Sequence, residues 1–150
     1  MNCNLNLLAH KEKLKFKKEG KNRFIYGEIR KKHLVLGPEE LVRQLIIIHL
    51  IEDCKFNKNR IAVEKQLIVN ELKKRCDILV FDSDMKPFLL IECKAPNVPV
   101  TDDTFRQIAW YNMPLKVPYL MVSNGMKTFI CRMNYEEKTF KFIPEIPLYQ

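Results

Sequence analysis

Apolar and polar residues change period several times along the chain, and each change marks an element. In "GPEELVRQLIIIHLIEDC" (37–54), Leu41, Leu45 and Ile48 fall at helical spacing, and further apolar residues widen the stripe. Pro38 in the first turn, with Glu39 and Glu40 beside the positive end of the helix dipole, marks the start. Gly37 stands at the cap, where serine or threonine would bind better. "RIAVEKQLIV" (60–69) alternates with period two and predicts a strand. "CDILVF" and "PFLLIEC" are nearly continuous apolar runs separated by "DSDMK", which predicts two central strands joined by a tight turn. Helical spacing returns in "DDTFRQIAWYNMPLK" (102–116) through Phe105, Ile108, Ala109 and Leu115. "VPYLMVSNG" (117–125) reads as another buried strand, and "MKTFICRM" and "KTFKFIP" as a hairpin around "NYEE". Helix, three strands, helix, strand and terminal hairpin describe an α/β sheet covered by helices.

Composition adds bounds. With 150 residues and 47% hydrophobic content, the chain supports one domain with a real core. Its expected division is a basic N-terminal extension over 1–36, a core over about 37–125 and the hairpin over 126–150. The extension is dense in lysine and arginine between residues 10 and 32. "KLKFK" hints at a short strand there, and the remainder reads as a surface arm, either solvated or touching phosphates. A net charge of +8 suits a polyanion such as nucleic acid. Five scattered cysteines without a CxxC pair argue against a cysteine zinc motif and a disulfide framework, and for a reducing cytoplasm. No secretory-signal pattern opens the chain, and "LIIIHLI" (45–51) is too short to span a bilayer, so no membrane is expected. His49, inside the first helix's apolar stripe, reads as a packed core histidine rather than a ligand.

The candidate chemistry lies at a strand end. Leu89, Leu90 and Ile91 run into Glu92 and Lys94, at a depth where unpaired charge is costly. A symmetric turn centred between Asp84 and Met85 pairs Asp77 directly with Glu92, their Cβ atoms about 5 Å apart. Period two adds Lys94 to that face and turns Cys93 to the other. Two carboxylates so close make a seat for a hard divalent cation, with Lys94 holding the water that becomes the attacking hydroxide. An E-x-K triplet alone is commonly a solvated or structural ion pair. The aspartate at matched register, on a strand too apolar for the surface, makes this one a candidate site.

"KRCDILVF", "KPFLLIECKAP" and "FRQIAWYN" together resemble the PD-(D/E)xK nuclease superfamily. More narrowly, the chain resembles the N-terminal nuclease-type domain of type I restriction enzyme R subunits in a standalone form, from about "LGPEELVRQ" to "YLMVSNG". The resemblance implies a restriction-endonuclease-like core: helix, three-strand antiparallel meander, helix and strand in a mixed central sheet, with added terminal strands. It implies that Asp77 and Glu92 bind the metal and that Lys94 positions or polarises the water. Gln107 would support the site through the scissile phosphate or the lysine. Tyr111, four residues on, would orient its surroundings or touch substrate, unless it is simply a packed helix tyrosine. Relatives often add a glutamate from the first helix. Glu40 is the candidate, with a helix-dipole role as its competing explanation, and Glu64 is a second.

The expected function is therefore a magnesium- (or manganese-) dependent DNA nuclease hydrolysing phosphodiester bonds. Arg43, Lys73, Lys74, Arg75 and Arg106 would hold flanking phosphates, or be ordinary surface charges. The alternative is a non-cleaving module that binds nucleic acid or docks onto a larger restriction or defence complex. A second copy of the chain would suit cutting both strands. No G-x-x-x-x-G-K-[ST] loop occurs, so ATP is not expected at this chain.

Overall fold

The computed structural model describes residue 3 and residues 5–148. Most of it is built on a six-stranded sheet in the order β4 (Ile61–Val69), β5 (Leu72–Phe81), β6 (Pro87–Cys93), β7 (Tyr119–Ser123), β8 (Thr128–Asn134), β9 (Thr139–Phe142). Every neighbouring pair is antiparallel except β6 and β7, which run parallel. That exception follows from the connection, because helix α2 (Asp102–Asn112) carries the chain across the sheet before β7 begins. Helix α1 (Pro38–Glu52) precedes the sheet. The expected helix–meander–helix–strand–hairpin order is therefore present in a mixed α/β fold.

The two helices cover opposite faces. Val42, Leu45, Ile46, Ile47 and Leu50 of α1 pack on Ile78, Val80, Leu89, Ile91 and Met121. Phe105 and Ala109 of α2 pack with Leu79, Leu90, Leu120 and Val122. The central strands read as unbroken apolar runs because both faces are buried. Asn70 and Glu71, both at positive φ (48° and 69°), make the two-residue turn between β4 and β5.

The N-terminal region departs from the arm expected there. After a 3-10 helix (Leu7–Lys13), it forms a separate antiparallel sheet of β1 (Phe16–Glu19), β2 (Asn22–Gly27) and β3 (Lys32–Val35). All four residues of β1 are exposed, so its side chains carry no core pattern to read. Ile25 of β2 is fully buried and anchors the sheet. No helix among the described residues is long and apolar enough to cross a membrane.

The turn between β5 and β6 also differs from the symmetric one expected. Asp82 and Lys86 bond across it, Asp82 N–H donating to Lys86 O at 2.8 Å, and Phe81 pairs with Pro87. Val80 then pairs with Leu89, so Phe88 is an extra residue on β6. This bulge restores the register that a symmetric turn would have produced. Ile78 lies opposite Ile91, which makes Asp77 and Glu92 the next facing positions.

Candidate functional site

Alternation along β5 breaks at Asp77. Cys76 packs with the α2-side core, yet Ile78 and Val80 both pack under α1. Across the ladder, Val63 pairs with Ile78 and Lys65 with Cys76, leaving Glu64 opposite Asp77. Glu64 there has φ of 49°, inside a strand, a conformation costing an L-residue roughly 1–2 kcal/mol. The kink decides where the carboxylates point.

Asp77 leans toward α1. Its Oδ2 accepts the backbone N–H of Cys93 at 2.8 Å, and its Oδ1 lies 3.7 Å from Arg43 Nη2. Arg43 is only 6% exposed, and its Nη1 stands 3.4 Å from Glu40 Oε1 and 3.3 Å from Glu64 Oε1. One buried guanidinium thus gathers acids from α1, β4 and β5. Glu64 has two further partners, Arg75 Nη2 at 3.0 Å and Arg30, whose Nη2 donates to the same Oε2. Glu40 also accepts from Gln44 Nε2 at 3.0 Å.

Glu92 turns the other way. Its Oε1 lies 2.6 Å from Lys74 Nζ and 3.2 Å from Asn112 Nδ2 of α2. Lys74 Nζ sits 4.4 Å from the centre of the Tyr111 ring, within cation–π range. Asp77 and Glu92 were expected on one face. They occupy facing register positions but lean toward different counter-charges, because the kink swings Asp77 to the α1 side. Glu92 is still near enough for its charge to act on Asp77.

The electrostatics of the acids differ in sign. Burial pushes the Asp77 carboxyl above the usual carboxylate range, against the Cys93 N–H and Arg43, and Glu92 and Glu39 push it further. Glu64 is pulled down to about 2, chiefly by its hydrogen bond from Arg30. Cys93, buried at 3% exposure under α1, has its thiol held far above the ordinary value by burial, so it stays protonated.

Lys94 is half-buried just past β6, where its N–H donates to Ser123 O at 2.8 Å. Among the described residues, no carboxylate lies within ion-pairing distance of its ammonium. Gln107 and Tyr111 are exposed on α2, while the adjacent Asn112 takes the inward position. Of the cations expected on flanking phosphates, Lys73, Arg75 and Arg106 are exposed. Arg43 and Lys74 instead neutralise acids within the site.

Asn112 had not been anticipated, since an asparagine near a helix end carries no distinguishing sequence signal. Arg43 left one. It is a charge inside "LVRQLIII", a run buried on all sides from Val42 to Ile48, and such a charge needs partners.

The family described as type I restriction enzyme R protein N terminus matches residues 38–147, more than two thirds of the chain. The chain belongs to that family. The matched segment opens at the first residue of α1 and runs past the end of β9. It takes in Glu40, Arg43, Glu64, Asp77, Glu92 and Lys94 together. No curated protein matches the chain.

Proposed function

We propose that this R-protein-type domain is a magnesium-dependent nuclease that hydrolyses phosphodiester bonds in DNA, on a restriction-endonuclease-like core. The observation that carries this reading is the placement of Asp77 and Glu92 at facing positions of two buried strands, with Lys94, whose ammonium has no carboxylate partner among the described residues, two residues beyond Glu92. Two carboxylates and a lysine at a strand end, in a member of this family, fit that chemistry better than a structural ion pair.

The donor set fits a hard cation, because Asp77 and Glu92 offer oxygen ligands only. Magnesium or manganese bound there would supply Lewis-acid stabilisation of charge on the phosphoryl oxygens and lower the pKa of a bound water. Asp77 and Glu92 would hold the ion, and Glu40 or Glu64 would add a carboxylate when Arg43 moves aside. Lys94 would hold the attacking water and steady the charge that develops on phosphate. Gln107 would support the phosphate or the lysine, and Tyr111 would orient Lys74 beside Glu92. Lys73, Arg75 and Arg106 would contact flanking phosphates. The family places such a domain in the context of a restriction complex, where a partner or a second copy would supply the other strand's cut.

A second reading is a module that binds DNA or docks onto such a complex without cleaving. It draws on Arg43 and Lys74, which already neutralise the acids that a cation would need. The purified chain, incubated with supercoiled, linear and single-stranded DNA with and without magnesium or manganese, separates the two. Metal-dependent nicking that Asp77→Ala and Lys94→Ala each abolish is the expected result. Salt-sensitive binding without cleavage would leave only the docking module.

A further inference from the structure

The far end of α1 carries chemistry that the acid–lysine site does not use. His49 and Asp53 stand four residues apart there, and His10 arrives from the N-terminal 3-10 helix. One Asp53 oxygen lies 2.8 Å from His10 Nε2 and 2.7 Å from His49 Nδ1. The imidazoles meet edge to face, 5.7 Å between ring centroids. His10 is 4% exposed, and the His49 side chain 12%. His49 Nδ1 is buried and, despite its closeness to Asp53, has no hydrogen bond of acceptable geometry. A buried ring nitrogen therefore stands close to a carboxylate without being bonded to it.

We propose that His10, His49 and Asp53 form a binding site for a divalent transition-metal ion of the zinc class, clasping the N-terminal 3-10 helix to the end of α1. The three ligand atoms all lie within 4.8 Å of one another. Two imidazoles and a carboxylate suit zinc or cobalt, whereas magnesium prefers oxygen alone. The site is thus chemically distinct from the Asp77–Glu92 pair. Spacing of four on a helix puts both ligands on one face, as in helical zinc motifs. Ligand atoms about 2.1 Å from a tetrahedral ion stand roughly 3.4 Å apart, so the two Asp53 contacts open by roughly 0.6–0.7 Å on binding. Asp53, with its side chain 51% exposed, has room to make that shift. The other ring nitrogen of His10 lies 3.6 Å from Glu52 Oε2, and Lys13 holds Glu52. His10 Nδ1 has no hydrogen bond across that gap, and a carboxylate behind a ligating imidazole fixes its tautomer only once the two close to bonding distance. Three protein ligands leave the fourth position to water on the Asp53 side.

His49 read from sequence as a packed core residue. Its ring is largely packed, but it packs edge to face on the imidazole of His10, 39 residues upstream, which no local pattern reveals.

The test titrates the metal-stripped full chain with Co²⁺ and follows visible absorption, then repeats thermal melting with and without Zn²⁺. One equivalent of Co²⁺ giving the intense visible bands of a tetrahedral ion is expected. Affinity read from those bands should be reduced at least tenfold in His10→Gln and in Asp53→Asn and unchanged in Asp77→Asn, because the oxygen ligands around Asp77 would give only weakly absorbing octahedral Co²⁺. Zn²⁺ should raise the melting temperature of the parent chain and not that of the two clasp variants. Absence of Co²⁺ binding, equal affinity in the clasp variants, a thiolate-to-cobalt charge-transfer band, or loss of binding in Asp77→Asn would each overturn the site. Should His10→Gln prove unfolded without metal, the more exposed Asp53→Asn decides alone.

Discussion

Arg43 Nη2 stands 3.7 Å from Asp77 Oδ1, while Nη1 of the same buried side chain reaches Glu40 and Glu64. A single cation from α1 thus holds three carboxylates from three elements in one place. Replacing it with methionine keeps most of the volume and takes the shared counter-charge from Asp77 and Glu40, while Glu64 keeps Arg30 and Arg75. Arg43→Met should therefore cost about 3 kcal/mol, the range for breaking a buried ion pair from one side. Millimolar magnesium should restore part of that loss, and by more than it stabilises the parent chain. Thermal melting with and without magnesium reads both effects. A variant melting at the parental temperature would mean that Arg43 contributes nothing net to holding these acids.

Glu64 and Asp77 face each other across β4 and β5 yet should respond to neutralisation in opposite directions. Glu64 titrates near 2, below its ordinary 4.5, so its stabilisation is fully present above that ordinary value and is lost as pH falls toward 2. Glu64→Gln should cost about 1–2 kcal/mol at pH 7, discounted for partial exposure, and much less at pH 2 to 3. Asp77 is shifted upward by burial, so its charge opposes folding, increasingly as pH rises through the raised value. Asp77→Asn should leave the neutral-pH melting temperature unchanged or higher while removing any metal-dependent cleavage. Paired melting curves at both pH values check the contrast, and a destabilised Asp77→Asn would reverse the sign argued here.

That contrast marks how far the sequence could be read. Register was inferred from a turn taken as symmetric between "CDILVF" and "PFLLIEC", and Ile78 does lie opposite Ile91 as that turn requires. It was nonetheless reached by a different route, since the bulge at Phe88 replaces the symmetric turn. Side-chain direction was not legible. The kink at Asp77 depends on the left-handed backbone of Glu64 on the neighbouring strand, and nothing in "VEKQ" announces it. The lysine-rich strands near the N-terminus resembled a solvated arm because exposed edge strands have no buried face to impose a period. Clusters such as Arg43 with three acids, or Lys74 with Glu92 and Asn112, join residues far apart in sequence. Only the packing brings them together.

Lys74 and Lys94 should separate structure from chemistry. Lys74 is 2.6 Å from Glu92 and lies over Tyr111, so Lys74→Ala leaves a nearly buried carboxylate with Asn112 as its remaining polar partner among the described residues. A loss of about 1–2 kcal/mol is expected, with cleavage reduced but measurable. Lys94 has no ion pair among the described residues to lose, so Lys94→Ala should change stability by less than about 0.5 kcal/mol while abolishing cleavage. Melting temperatures together with nicking rates make the comparison. Equal effects of the two substitutions on both readouts would remove the special role given to Lys94.

DNA affinity should depend on a different set of cations from those that hold the site together. Lys73, Arg75 and Arg106 are exposed, whereas Arg43 and Lys74 are committed to carboxylates. Each phosphate contact releases about 0.9 counterion on duplex DNA, so log affinity falls against log salt with a slope set by the number of contacts. Lys73→Ala and Arg106→Ala should each reduce that slope by about 0.9 and weaken binding at low salt without regard to sequence. Arg75 also bonds Glu64, so its replacement should lower both slope and stability. Lys74→Ala should leave the slope unchanged, because its charge is cancelled by Glu92 before DNA arrives. Fluorescence anisotropy across a salt series in calcium, without cleavage, measures every one of these slopes. If Lys74→Ala changes the slope as much as Lys73→Ala does, the Glu92 pair opens to bind DNA and the charge on Lys74 belongs to the interface.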